Sequence, residues 1–186
     1  MTPLPRAHRP IADKPLLVWV LVPFAESADP TIEYYNDFSQ SHAEFERAFA
    51  AMHVEWKWEL VTLQTFRGAI DRIIIDSTRH TPVVFNLCDG DEANGVPGIS
   101  VIRYLDEVGL SYTGADESFF DVTTSKIDMK QAFDRASVPT PPWEVIARKS
   151  KALRGPFKRH GTPLIVKPAV SAGSMGITTA SVVSTG

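Results

Sequence analysis

Leu16-Leu17-Val18-Trp19-Val20-Leu21-Val22 is an uninterrupted apolar run bounded by Pro15 and Pro23. A strand with one wet face would alternate in polarity, so this run fits a strand buried on both faces of a parallel sheet. Downstream, Ala43 to His53 places Phe45, Phe49 and Met52 at i, i+4 and i+7, the spacing of a helix that docks one face. Trp56 to Leu63 reads as a strand. Phe66 to Ser77 carries Ile70, Ile73 and Ile74 at helical spacing, and Pro82 to Leu87 is a third apolar run. With Gly98 to Val108 as a helix and Leu110 to Tyr112 as a short strand, the alternation predicts an α/β fold, an open parallel sheet with right-handed crossovers. Ligands of such sheets bind beyond the strand C-terminal ends, here the loops after Val22, Leu87 and Tyr112. The first of these, Val22-Pro23-Phe24-Ala25, lacks the glycines that a dinucleotide pyrophosphate requires, which argues against a plain Rossmann dinucleotide site.

From Ser125 the pattern changes. Met129, Phe133 and Ala136 mark a helix that begins near Ser125, and the proline-rich turn Val138 to Pro142 ends it. Trp143 to Ala147 then reads as a strand and Lys149 to Arg159 as a basic helix. This places a domain boundary near Asp121. The organisation expected is a loose tail over 1–14, an α/β domain over 15–121 and a second unit over 122–186.

The second unit holds the chemistry. Pro163-Leu164-Ile165-Val166-Lys167-Pro168 reads as a buried strand that Pro168 stops, so that Lys167 projects from its end. Ser171-Ala172-Gly173-Ser174-Met175-Gly176-Ile177 follows, and Gly173 and Gly176 free that turn from Cβ constraints. Successive backbone N–H groups in such a turn converge on an anion, while a lysine supplies a mobile point charge. The pair reads as a phosphate grip, with a nucleotide as ligand; an ordinary Gly/Ser hairpin with a surface lysine is the plain alternative. The lysine precedes the glycines, so this is not a Walker A loop. Ile177 to Val183 alternates like another strand, which makes the unit a strand–loop–strand hairpin.

Composition excludes several classes. The 186 residues are 44% hydrophobic and 22% charged with a formal net charge of −3, so nothing points to a nucleic-acid or anionic-membrane partner. A single cysteine, Cys88, rules out an internal disulfide framework and fits a reducing compartment; at a strand end it reads as a small apolar residue rather than a nucleophile. The opening Met1 to Lys14 lacks the apolar core of a secretory signal, and no apolar run approaches the roughly 20 residues that span a bilayer. A cytoplasmic location is expected.

Phe85-Asn86-Leu87-Cys88-Asp89-Gly90, Tyr112-Thr113-Gly114, Ser125-Lys126, Val138-Pro139-Thr140-Pro141-Pro142 and the Lys167 strand with its glycine loop occur in that order. Together they resemble the D-alanine:D-alanine ligase branch of the ATP-grasp superfamily, well over Phe85 to Ile177 and by pattern over Leu16 to Pro82. The resemblance implies that 15–121 is a pre-ATP-grasp, Rossmann-like substrate domain and that 122–186 begins an α+β ATP-grasp domain, its first, small lobe. It implies an ATP- and Mg²⁺-dependent ligase of cell-wall biogenesis that phosphorylates one carboxylate and lets an amine attack the acyl phosphate. Lys126 and Lys167 match the family's two phosphate-contacting lysines, and Ser171, Ala172, Gly173, Ser174 and Gly176 match its phosphate-covering loop. A lysine in a helix's first turn opposes the helix dipole, which favours a functional reading of Lys126. Lys130, one turn on, reads as part of a solvated face. Family metal ligands, adenine contacts and a transition-state arginine are expected beyond Gly186, so the chain reads as a truncated portion, inactive alone, and a homodimer is expected.

Two departures bear on the substrate. Glu26 is a loose match to the family's substrate-orienting Glu after the first strand, and Cys88-Asp89-Gly90 replaces a His-Gly pair. Asp89, Asp91 and Glu92 form an acidic cluster that reads either as a solvated loop or as recognition of a substrate ammonium. Three readings follow: a D-alanine ligase relative, an ATP-grasp ligase for other amino acids or peptides, and a non-catalytic nucleotide-binding or dimerising module.

Overall fold

The computed structural model describes residues 14–26, 36–147, 155–171, 174 and 176–184. The expected tail over 1–13, Ala172 and Gly173, and residues 149–154 of the expected basic helix lie outside the described residues.

The first unit is the expected α/β sheet. β1 (Leu16–Pro23), β2 (Glu55–Val61) and β3 (Thr81–Asn86) form a parallel sheet in the order β2-β1-β3. β1 is central, with Val20 opposite both Trp58 and Phe85. That position explains its sequence, because both faces are covered: Val20, Leu21 and Val22 are 0% exposed. Each such side chain contributes about 1.5–3 kcal/mol relative to exposure. On one face Leu17, Trp19 and Leu21 pack with α2 (Phe66–Asp76) and α3 (Ile99–Val108) through Ile70, Ile73, Val101 and Leu105. On the other, Val18, Val20 and Val22 pack with Phe49 and Phe45 of α1 (Ser39–Met52) and with Trp56, Trp58 and Phe85. The strand order reverses between the two crossovers, so crossovers of one hand require helices on opposite faces, as found.

Boundaries differ in instructive ways. α1 begins four residues before Ala43. Leu110 to Tyr112 is not a full strand: only Tyr112 bridges Val84, through Val84 N–H to the Ser111 carbonyl (2.9 Å) and Thr113 N–H to the Val84 carbonyl (2.9 Å). The left-handed Gly109 that ends α3 leaves too little chain for a longer ladder.

After Tyr112 come α4 (Glu117–Thr124), which the sequence reading did not anticipate, and α5 (Lys126–Arg135), which it placed correctly from Ser125. Asp116 caps α4 by accepting from Phe119 N–H, and Ser125 caps α5 by accepting from Asp128 N–H. Asp121 therefore lies inside a helix. Trp143 to Ala147 is not a strand, having no pairing partner among the described residues. The described part of the basic helix is α6 (Gly155–His160).

The hairpin is antiparallel, as expected, but minimal. β4 (Leu164–Ile165) pairs with β5 (Val182–Val183), and a 3-10 turn over Thr179–Ser181 occupies most of the expected second strand. Nor is the Lys167 strand buried: Ile165 and Val166 are more than half exposed, because two paired strands alone cannot cover a face.

Candidate functional site

The structure brings Lys126 and the glycine-containing loop together. Lys126 opens α5, where its N–H has no intrahelical partner; it donates instead to the Ala169 carbonyl (2.8 Å), and the neighbouring Ser125 bridges Val170. Its half-buried side chain turns the same way, Nζ donating to the Ser171 carbonyl (2.9 Å). An ammonium against a helix N-terminus is thus compensated by a carbonyl and by Asp128 in the first turn.

Lys167 follows β4. The ladder of β4 continues through Val166 N–H to the Ser181 carbonyl (2.8 Å), after which Lys167 is exposed. It lines an open cleft of about 450 Å³ with Val166, Pro168, Gly176 and Ser181 among its walls. Ser174 and Gly176 both have positive φ (62° and 73°), and a Cβ at 176 would stand 3.0 Å from Pro168 Cγ. Gly176 is therefore required by backbone hand and by space.

The acidic residues follow the sheet. β1 and β3 are neighbours whose following loops lead to helices on opposite faces, so their C-terminal ends flank a topological switch point. Glu26 is exposed after β1, and Asp89 is exposed after β3. Partial desolvation holds the Asp89 carboxyl above its ordinary value. Glu92, with φ 57°, turns inward: Oε1 accepts from Gly98 N–H (3.2 Å) and Ser100 N–H (2.7 Å), and Oε2 from Ser100 Oγ (2.8 Å). Its carboxylate therefore caps α3. Asp91 accepts from the Asn94 backbone N–H (3.0 Å) and side-chain amide (2.7 Å). Gly90 and Gly98 cross so closely that a Cβ on Gly98 would penetrate the Gly90 carbonyl.

Cys88 is buried, its Sγ facing the Leu21 carbonyl at 3.9 Å. Burial pushes the thiol far above its ordinary value, and Asp89 and Glu92 push in the same direction, which excludes a nucleophilic thiolate near neutral pH. Lys130 is no free surface lysine, since it is half-buried and donates to the Pro141 carbonyl (3.2 Å). A larger hollow of about 720 Å³ lies beside Tyr112, but its carboxylates serve the fold: Asp106 accepts from Tyr112, Asp116 from Phe119 N–H, and Glu117 from Arg103 (2.6 Å). Glu117 holds the Arg103 guanidinium above its usual range.

Among the described residues no group of three His, Cys, Asp or Glu side chains is placed to hold a metal ion, and no helix is long and apolar enough to cross a membrane. The sequence reading missed the capping of α3 by Glu92, which no local pattern announces, because Ser100 lies eight residues away across a turn.

No protein-family model matches the chain. Curated proteins do. The chain is 31% identical over 96 residues to the D-alanine–D-alanine ligase of Xanthomonas axonopodis pv. citri, a segment covering 50% of this chain and 30% of that protein. It is 29% identical over 96 residues to the ligase of Xylella fastidiosa, 50% of this chain and 31% of that one. For the ligase of Acidovorax ebreus the figures are 28% over 74 residues, 40% of this chain and 22% of that one. The chain thus spans less than a third of the length of these relatives. Over about half of its own length it is D-alanine–D-alanine ligase-like.

Proposed function

We propose that the chain is the N-terminal part of an ATP-dependent carboxylate–amine ligase. Residues 15–121 form its substrate domain, and 122–186 begin the nucleotide-binding domain. The observation that carries this reading is the junction of α5 with the glycine-containing loop, where Lys126 reaches the Ser171 carbonyl within the unit that also presents Lys167. Two cations and a loop of small residues with left-handed turns suit the phosphate groups of ATP. ATP, when bound, supplies the phosphoryl group that makes a carboxylate an acyl phosphate open to attack by an amine.

The chain's own residues perform electrostatic and positional work. Lys167 pairs with phosphate oxygens as they gain charge, and Lys126 exchanges the Ser171 carbonyl for a phosphate oxygen. Ser171, Ser174 and Gly176 would offer backbone donors to the same oxygens, and Ala172 and Gly173, outside the described residues, complete the proposed loop in sequence. At the switch point Glu26 and Asp89 attract the ammonium of an amino-acid substrate, while Glu92 sets the shape of the loop. Mg²⁺ ligands belong to chain outside this sequence, as do the adenine contacts. A homodimer in the cytoplasm completes the proposal.

A second reading has its own support. The segment Val22-Pro23-Phe24-Ala25-Glu26 and the Cys88-Asp89-Gly90 turn give the switch point a different lining from the family pattern, which favours a ligase for another amino acid or peptide. Phosphate release from ATP and Mg²⁺ by the natural full-length product, screened across D- and L-amino acids, separates the two. D-alanine-dependent release that falls at least about 100-fold in Lys167→Ala supports the first reading. Release dependent on another substrate supports the second. Absence of release with every amino acid, despite tight ATP binding, removes both.

A further inference from the structure

The pieces that carry the two lysines are joined twice. One junction is direct, through Lys126 N–H to Ala169 and the Ser125–Val170 bridge. The other runs through residues 141–144 and is made mainly by side chains. From α5, Lys130 Nζ donates to the Pro141 carbonyl (3.2 Å), and Asp134 Oδ2 accepts from Trp143 Nε1 (3.2 Å). Glu144 then reaches α6. Its Oε2 accepts from Arg159 Nε (3.0 Å) and Nη2 (2.6 Å). Its Oε1 faces His160 Nε2 at 3.8 Å, both atoms buried and without a hydrogen bond among the described residues. Gly155 makes space for the fork, since a Cβ there would stand 2.9 Å from Arg159 Nη1.

Ordinary surface ion pairs contribute little, but this one differs in three respects. Two guanidinium N–H groups converge on one carboxylate oxygen, Oε2, and each of these bonds is charge-assisted. The 143–147 stretch has no strand pairing among the described residues, so no backbone ladder substitutes for it. α6 has six residues, too few to persist without tertiary contacts, and it leads through Gly161 directly into β4 and Lys167.

We propose that Glu144 is a positioning residue of the nucleotide site, clamping α6, and through it the Lys167 hairpin, to the helix that begins with Lys126. The inference rests on the reading of Lys126 and Lys167 as phosphate-binding groups and adds a residue to which no role was assigned. Glu144 touches no ligand; it sets the spacing of the two ammonium groups, and a displacement of about 1 Å at such a site is costly.

The test is a double-mutant cycle on the natural full-length product, read by binding of a fluorescent N-methylanthraniloyl ATP analogue. Glu144→Ala is expected to weaken binding about 10-fold in the wild-type background and less than about 2-fold once Lys167 is alanine, because its effect passes through Lys167. A residue that merely stabilises the lobe would weaken binding equally in both backgrounds, and that result overturns the proposal, as does unchanged affinity of Glu144→Ala alone. Should Glu144→Ala lose its tertiary fold, the charge-reversed pair Glu144→Arg/Arg159→Glu decides. Affinity within about 3-fold of wild type supports the clamp, and affinity no better than Arg159→Ala overturns it. If Lys167→Ala alone binds normally, the phosphate-grip reading fails first, and the cycle separates that failure from the failure of the clamp.

Discussion

At the residue scale, two positions answer to space and solvation more than to chemistry. Gly98 is the tighter, because a methyl group there meets the Gly90 backbone, and neither loop can retreat without losing Gly90 N–H to Pro97 (2.9 Å). Gly98→Ala should cost about 3 kcal/mol or more in urea unfolding, placing it among the severe substitutions. Cys88 is the second. Its raised thiol pKa means that the folded chain keeps a proton that the unfolded chain releases once pH passes about 8.5, so stability falls as pH rises above that value, by at most about 1.4 kcal/mol per unit. A Cys88→Ala variant should show a shallower alkaline decline. Native Cys88 should resist thiol-specific reagents at pH 8 and react only on unfolding.

At the element scale, α3 depends on a residue outside itself. Glu92 supplies the acceptors for the first N–H groups of that helix, and Glu92→Ala should lower stability by about 1–2 kcal/mol in chemical denaturation, with Glu92→Gln between the two. Elements whose periodicity reflects burial were legible before any coordinates: the all-apolar β1 as a strand buried on both faces, and α2 from its isoleucine spacing. Elements that need a partner were not. Trp143 to Ala147 has strand composition and no neighbour to pair with among the described residues, while Leu110 to Tyr112 has a neighbour but only one residue in reach. α4 was concealed because its eight residues carry one buried side chain, Phe120, although Asp116 three positions before Phe119 was a usable start signal. Lys126 and the loop that begins at Ser171 were linked in the sequence only by the order of short motifs, and their contact, Lys126 Nζ to the Ser171 carbonyl, ends on a backbone atom that no side-chain pattern encodes.

At the scale of the whole molecule, order is unevenly distributed. Among the described residues the buried apolar side chains run from Leu17 to Phe120 with only Pro156 beyond, and none of those of the hairpin joins them. Hydrogen exchange should therefore be slowest in β1 and β3 and fastest in β4 and β5, by about 100-fold or more in protection, with proteolysis beginning after Arg135. A chain ending at Thr124 should retain the cooperative unfolding of the sheet domain, as checked by the amplitude of its urea transition. Glu92 carries one consequence at this scale. Helix N-termini ordinarily draw anions, but that of α3 already holds a carboxylate, and the loops after β1 and β3 carry the exposed Glu26 and Asp89. If Lys126 and Lys167 hold ATP as proposed, the ammonium of an amino acid and the phosphates of ATP would be drawn to different parts of the chain, sorted by sign before any contact reads their shape.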